Sequence, residues 1–400
     1  MTHCKRFLAG VILAALSSAA SAVPFTFDAR TLGMGGTSAA TATLQNAAWA
    51  NPSMLTRQPL EDDFALLIGA GAFVRDDEDL FGDVEDFQDA DERREDAIDN
   101  GNLAEALQAL GEMNRTLRGI DSKVVAPEAT GLLALGIAFK SFSMAVSVRS
   151  DVIGGGTVTD LSCDIVNDPG CNPNETLDEN FNILNVEGVM STEYAVSFAT
   201  DIEAFDRRLS VGFKPKVVDL KAFTFSESIL TVSTDGEDLI DEDNEVDLGS
   251  ISTFDMGLAL DVTDSILLGL NVRNLLTKGF ELNGQSFDYD TEWEIGIAYT
   301  NSFMTLAADY DLTTNEPLLA NDVFRALDRK DIKIGAEFRA GRYVMLRLGA
   351  AKNLADGIPD GAEEVRYTAG IGFWLGFNLD IAAIVNDNTV GAVLQTGFSF

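Results

Sequence analysis

Charged side chains recur at alternate positions in this sequence: Lys214 and Lys216, Glu292 and Glu294, Lys333 with Glu337 and Arg339, and, in similar stretches, Arg273, Arg347, Arg366 and Asp380. A period of two places such residues on one face of a β-strand. There they could pair as ions or line a wet path. Catalysis is harder to build from them, because the only histidine is His3. His3 lies in a segment expected to be removed, so the remaining chain has no imidazole for Ser-His-Asp or Cys-His hydrolysis, an HExxH metalloprotease, or a His-ligated zinc or haem. We therefore expect no enzyme, with no catalytic residue, metal site or cofactor. Cys163 and Cys171 flank a short Asn-, Asp- and Pro-containing stretch. In an oxidising compartment they are expected to close it as a disulfide, the alternative being two free thiols; a CxxC redox spacing is absent.

Charge and composition narrow the partners. The 28 Lys and Arg residues against 64 Asp and Glu give a net charge of −36, the wrong sign for direct binding to nucleic acid, where cations on phosphates supply most of the affinity. Yet 46% of the chain is hydrophobic, too much for a disordered acidic polymer.

The N-terminus carries an address. Lys5 and Arg6, an apolar run from Phe7 to Leu16, and Ala20-Ser21-Ala22 form the three parts of a secretory signal, residues 1–22, with cleavage expected after Ala22. The apolar run is too short to cross ~30 Å of hydrocarbon as a helix. Cys4 precedes that run, unlike a lipoprotein cysteine.

After Ala22 no apolar run reaches the ~18 residues that a membrane helix needs, so any spanning element must be a strand. Trp293, Ile295, Ile297 and Tyr299 alternate with Glu292, Glu294, Gly296 and Ala298; 331–340 and 364–374 repeat this pattern. Fourteen strands are predicted: 64–74, 130–139, 142–151, 188–200, 208–222, 249–262, 265–275, 288–300, 302–312, 331–340, 343–353, 364–374, 377–386 and 389–400. Their connectors alternate between long and short. A soluble sandwich has no reason to sort its loops this way, whereas an outer-membrane barrel puts tight turns in the periplasm and long loops outside. Phe139 and Phe142, Tyr299 and Phe303, and Phe338 and Tyr343 flank short turns as an interfacial aromatic girdle would. The final strand ends on Phe400, resembling the signal read by barrel assembly machinery. The fold class is therefore an all-β, transmembrane antiparallel β-barrel of about fourteen strands. It is expected in the outer membrane of a Gram-negative bacterium, after signal-peptide cleavage, in contact with lipid and lipopolysaccharide.

Three segments stand apart from the strand pattern. The acidic insertion 76–128 is predicted to form two amphipathic helices, Asp83 to Ile98 and Asn102 to Leu117, with Leu103, Leu107, Leu110 and Leu117 on one face. It reads as an extracellular helical loop packed on its neighbours or, alternatively, as a lid or docking surface over the mouth. Asp235 to Asp247 is a second acidic stretch, without the ligand spacing of a calcium loop. Gly154-Gly155-Gly156, at the outer end of the third strand, is read as the start of a flexible loop or as a weak point in the wall.

The segment before the first strand carries a resemblance. Asp28-Ala29-Arg30-Thr31-Leu32-Gly33-Met34-Gly35-Gly36-Thr37, followed by Asn51-Pro52-Ser53-Met54-Leu55, resembles the N-terminal signature of FadL-like outer-membrane proteins, with Ser53 where Ala is usual. The acidic insertion and Leu268 to Leu276 look more like the TraF-type group associated with conjugal transfer. The resemblance implies that residues 23–62 form a lumenal hatch, with Arg30, Gly33, Gly35, Gly36, Asn51 and Pro52 as its motif, and that 63–400 form the barrel. Arg273, Glu292, Glu294, Lys333, Glu337, Arg339, Arg347 and Arg366 would then line the lumen, as a polar conduit or as ion pairs holding a plug. Two roles follow: passive transport of a hydrophobic or amphipathic small molecule, or anchoring of proteins of a conjugal-transfer or secretion apparatus.

Overall fold

Ladder hydrogen bonds, not helices, carry this chain through its thickest dimension. The computed structural model describes residues 28–57, 63–76, 79–120, 123–161, 180–204, 206–232, 245–276, 279–282, 285–288, 290–315, 328–356, 365–385 and 389–399. The first seven strands are β1 Phe64–Asp76, β2 Val125–Ala138, β3 Ser143–Thr159, β4 Ile183–Ala204, β5 Arg207–Ser228, β6 Glu245–Thr263 and β7 Ile266–Arg273. After a separate two-stranded hairpin of β8 Gly279–Leu282 and β9 Gln285–Asp288 come β10 Glu292–Thr300, β11 Met304–Asp311, β12 Asp331–Ala340 and β13 Val344–Asn353. The last three are β14 Val365–Trp374, β15 Asn378–Val385 and β16 Thr389–Ser399. Except for β8 and β9, each strand pairs with its sequence neighbours, and β16 returns to β1 with Ala65 opposite Ser399, closing an antiparallel barrel of fourteen strands. Closure leaves no open edge, which is what a bilayer demands of a sheet.

The alternation works as expected on the outer face. Trp293, Ile295 and Ile297 are 40%, 44% and 45% exposed, and Ile334, Leu346, Tyr367, Ile381 and Leu394 continue the apolar belt on β12 to β16. At the short-turn end Phe139 stacks on Phe142 at 4.7 Å, and Phe303 lies 6.1 Å from Phe338. On β1 and β2 the simple greasy-out, polar-in pattern fails. Leu67, Phe73, Leu132 and Ala134 point inward and are buried, because this part of the inner wall meets an apolar face of the N-terminal segment.

Several boundaries differ from the sequence reading, most of them toward the long-loop end; β4 also runs on at the short-turn end, to Ala204, where 188–200 was expected. Asp76 and Val125 to Glu128, assigned above to the insertion, are strand, and β3 runs to Thr159, so Gly154-Gly155-Gly156 is paired with Gly188, Glu187 and Val186 rather than loop. β4 and β5 each span 22 residues. Above the belt the outer face no longer meets lipid, so hydrophobic alternation fades while the ladder continues; the pattern ends before the strand does.

Two helices fill the insertion, α2 Leu80–Asp99 and α3 Leu103–Ile120, after α1 Ala29–Gly33. Leu80, Val84, Phe87, Met113, Leu117 and Ile120 bury against Val74, Val125, Val158, Leu184, Val186 and Phe223. Those six wall residues share strand parity with outward positions such as Ile68, Leu133 and Tyr194. The helical pair therefore covers the outer flank of β1 to β5 above the belt, which corrects the picture of a lid over the mouth. Leu103 and Leu107, expected on the buried face, are 69% and 61% exposed, while Ala106, Ala109 and Met113 are buried. Cys163, Cys171, the signal segment, Phe400 and most of the acidic stretch 235–247 lie outside the described residues.

Candidate functional site: the segment inside the barrel

Residues 28–57 sit within the barrel, and their local order is written in short polar side chains. Asp28 caps α1, its carboxylate accepting from the Thr31 N–H at 2.9 Å and from the Thr31 hydroxyl. Gly35 and Gly36 adopt φ of +71° and +90°, a turn that side chains resist. Asn51 is extended before the 3-10 turn Pro52–Thr56; its Oδ1 accepts from the Ser53 N–H at 3.1 Å and its Nδ2 donates to the Ala39 carbonyl at 2.7 Å. Leu32, Leu44, Trp49, Met54 and Leu55 pack into one apolar cluster with Leu67, Phe73, Leu132, Ile384 and Val393. Fully burying such a side chain contributes roughly 1.5–3 kcal/mol.

The wall makes room for this backbone by leaving side chains out. Three glycine pairs face each other across neighbouring strands, Gly212 with Gly257, Gly269 with Gly296, and Gly335 with Gly349. A Cβ on Gly349 would collide with Met34 and Gly35, one on Gly269 with Ala39, and one on Gly212 with Pro52 and Ser53. These glycines, not singled out in the sequence, set the plane in which the segment crosses the lumen.

Polar groups hold it there. Asp309 accepts from the backbone N–H groups of Ser38 and Ala39 at 2.6 and 2.8 Å; Gln395 accepts from Ala29 N–H at 2.7 Å, and Gly35 N–H donates to the Thr368 hydroxyl at 3.0 Å. Asn271 donates to the Ala50 carbonyl. Arg57 closes the far end, reaching Asp261 at 2.5 Å, Ser210 at 2.8 Å and the Ala259 carbonyl at 3.0 Å. Burial pulls the Arg57 pKa below its ordinary value, and Asp261 offsets only part of this.

The inward charges divide into two layers about the glycine plane. Toward the long loops, Lys214 and Lys216 each contact Glu193 and Asp255 at 2.7–3.0 Å. Arg273 pairs with Glu292 and Glu294 at 3.2 Å, Lys333 with Glu294 and Asp311 at 2.7 Å, and Arg366 with Asp331. Toward the short turns, Glu337 collects Arg30 at 2.9 Å, Arg347 at 3.0 Å and Arg339 at 3.2 Å, and Arg347 also reaches Asp380 at 2.5 Å. Burial alone would depress the Arg30 guanidinium, yet Glu337, with Asp28 and Asp380, more than offsets it and holds its pKa above the ordinary value. The structure thus brings together the sequence-proposed lumenal residues as ion pairs around a filled interior. It places Arg30, Gly33, Gly35, Gly36, Asn51 and Pro52 in that filling. The alternation named Lys214, Lys216, Arg273, Lys333, Arg347 and Arg366 with Glu292, Glu294, Glu337 and Asp380, but left out Glu193, Asp255, Asp309, Asp311 and Asp331, which sit in the same inward register and could have been found by extending it.

Together these contacts make a closed fourteen-stranded antiparallel barrel whose lumen is crossed by the chain's own N-terminal segment. The chain belongs to the family described as "F plasmid transfer operon, TraF, protein", which matches residues 48–311. Among solved structures it is similar to the Ralstonia pickettii toluene transporter TbuX, with 14% identity, 94% of this chain and 98% of that one covered, and a TM-score of 0.55. The Pseudomonas putida toluene transporter TodX matches with 12% identity, 94% and 98% coverage and a TM-score of 0.52. A Pseudomonas aeruginosa FadL homologue matches with 11% identity, 95% and 99% coverage and a TM-score of 0.50. A comparison with the sequences of curated proteins finds no match.

Proposed function

We propose that this protein is a passive outer-membrane channel for a hydrophobic or amphipathic small molecule, in which residues 28–57 act as a hatch. The observation that carries this reading is that the lumen is filled by a segment seated on the wall through an apolar cluster, which a hydrophobic ligand could compete for, and through a few polar contacts, inside a fold shared along nearly its whole length with hydrocarbon channels. A purely structural plug needs no such fold. In this reading the short turns face the periplasm, the signal segment is cleaved after Ala22, and ligand binding shifts the hatch about Gly33 to Asn51. Mass spectrometry of small molecules co-purifying after mild detergent extraction tests it, with an unrelated barrel as control. A stoichiometric hydrophobe supports the channel; an empty barrel from several growth media counts against it.

Exposed Leu103 and Leu107 on an acidic helical pair favour a second reading, in which the barrel anchors proteins of a transfer or secretion apparatus. Leu103→Ser with Leu107→Ser separates the two. The anchor requires lost partner capture with normal ligand binding, and the channel requires ligand binding and uptake unchanged.

A further inference from the structure

Beneath the glycine plane, at the short-turn end, a cavity of about 300 Å³ opens between residues 30–46 and the lower ends of β12, β13, β15 and β16. Its charge is unlike that of the rest of the chain. Arg30, Arg339, Arg342 and Arg347 line it against two carboxylates, Glu337 and Asp380, in a protein of net charge −36. Both carboxylates are already spoken for. Glu337 is contacted by three guanidiniums, and Asp380 by Arg347 and by the Gln395 amide at 3.2 Å. Arg347 commits Nε to Glu337 and Nη1 to Asp380, and Arg342 at the rim touches only the Tyr343 ring and hydroxyl among the described residues. Among the lining residues Met345 is the sole apolar side chain, so a hydrocarbon gains little here, while the Gln45 Nε2 donor is buried without a partner among the described residues. Planar guanidinium forks beside an amide donor match the two oxygens of a carboxylate.

We infer that this vestibule binds the carboxylate group of a small organic acid, seated between Arg342 and Arg347 beside Arg30. The site needs no assumption about hydrophobic transport. Its position gives it a consequence, however, because Arg30 joins the hatch to Glu337 on the wall. A bound carboxylate competes with Glu337 for that guanidinium and loosens the join. The carboxylate has two possible sources: the head of an amphiphile arriving through the lumen, or a free acid from the short-turn side.

Titration calorimetry on the detergent-solubilised full chain tests this, with acetate, butyrate and octanoate and with butyramide as the neutral control. Saturable binding of the acids and none of the amide is expected. Arg342→Gln, at an exposed position whose loss leaves the fold intact, should weaken binding about fivefold, and Arg347→Gln by tenfold or more, about 1.4 kcal/mol per decade. Affinity that climbs from acetate to octanoate assigns the site to an amphiphile with its tail in the lumen. Affinity that stays level assigns it to a free acid. Absence of saturable, acid-specific binding, or binding indifferent to Arg342→Gln in a correctly folded barrel, overturns the inference.

Discussion

The carboxylate of Asp309 on β11 holds the backbone N–H of Ala39 at 2.8 Å and that of Ser38 at 2.6 Å, while its other oxygen has no hydrogen-bond partner among the described residues. Lys333, its neighbour across the ladder, spends its ammonium on Glu294 and Asp311 instead. One wall carboxylate is thus dedicated to two adjacent amides of the hatch.

Asp309→Ala should free those amides without opening the barrel. Hydrogen bonds to a charged acceptor contribute roughly 1.5–3 kcal/mol each, so local opening around Ser38 and Ala39 should become at least about tenfold more frequent. Hydrogen exchange resolved to residues 36–42 measures this, and unchanged protection would remove Asp309 from the latch.

Gly349→Val should expel the hatch while leaving the wall assembled. Its Cβ would strike Met34 and Gly35, and the atoms it meets are backbone, not the far end of a flexible side chain. The barrel should keep its heat-modifiable migration on gels, and protease should cut within 28–57. A protected hatch in this variant would mean that the close approach is not required.

Glu193→Gln removes one of the two carboxylates that Lys214 and Lys216 share, leaving Asp255 as the other. Breaking a buried pair usually costs about 3–5 kcal/mol because an uncompensated charge remains. Denaturant unfolding in detergent micelles should show a loss of that order, against less than about 1 kcal/mol for Arg208→Gln, whose partner Asp201 is solvent-exposed.

Phe87→Ala should undock the helical pair from the flank rather than unfold the barrel. Phe87 is fully buried against wall residues such as Phe223 and Val186, and removing such a ring costs about 3–5 kcal/mol. Protease sensitivity confined to 80–120 is the expected signature, and a barrel that no longer assembles would contradict it.

How far the sequence revealed this molecule depends on which solvent each face meets. Where strands touch lipid, as at Trp293 to Tyr299, the period of two is clean and the strand is placed within a few residues. Where the outer face meets protein, as at Val158 and Val186 beneath α2 and α3, no period announces it, so β3 to β6 run further than expected. Leu103 and Leu107 misled because their spacing suits a buried stripe, yet the buried face of α3 is the one that carries Ala106, Ala109 and Met113. The hatch was legible from its motif, but its seat was not. Gly269, Gly296, Gly335 and Gly349 matter through what they omit, and register across strands decides which glycines face one another.

A hatch that fills the lumen must move for a hydrophobic molecule to pass. Gly33 and Gly370 lie against each other, a Cβ on either falling 3.1 Å from the other's Cα, so Gly33→Cys with Gly370→Cys, in a Cys163→Ser, Cys171→Ser background, brings two thiols within bonding reach once the hatch gives by a few tenths of an ångström, and ties hatch to wall. The measurement is the rate at which N-phenylnaphthylamine enters cells that carry this barrel as their only FadL-like protein. Oxidised cells should fall to the rate of cells lacking the barrel and recover on adding dithiothreitol. Uptake at the wild-type rate through the oxidised, tied barrel would contradict it.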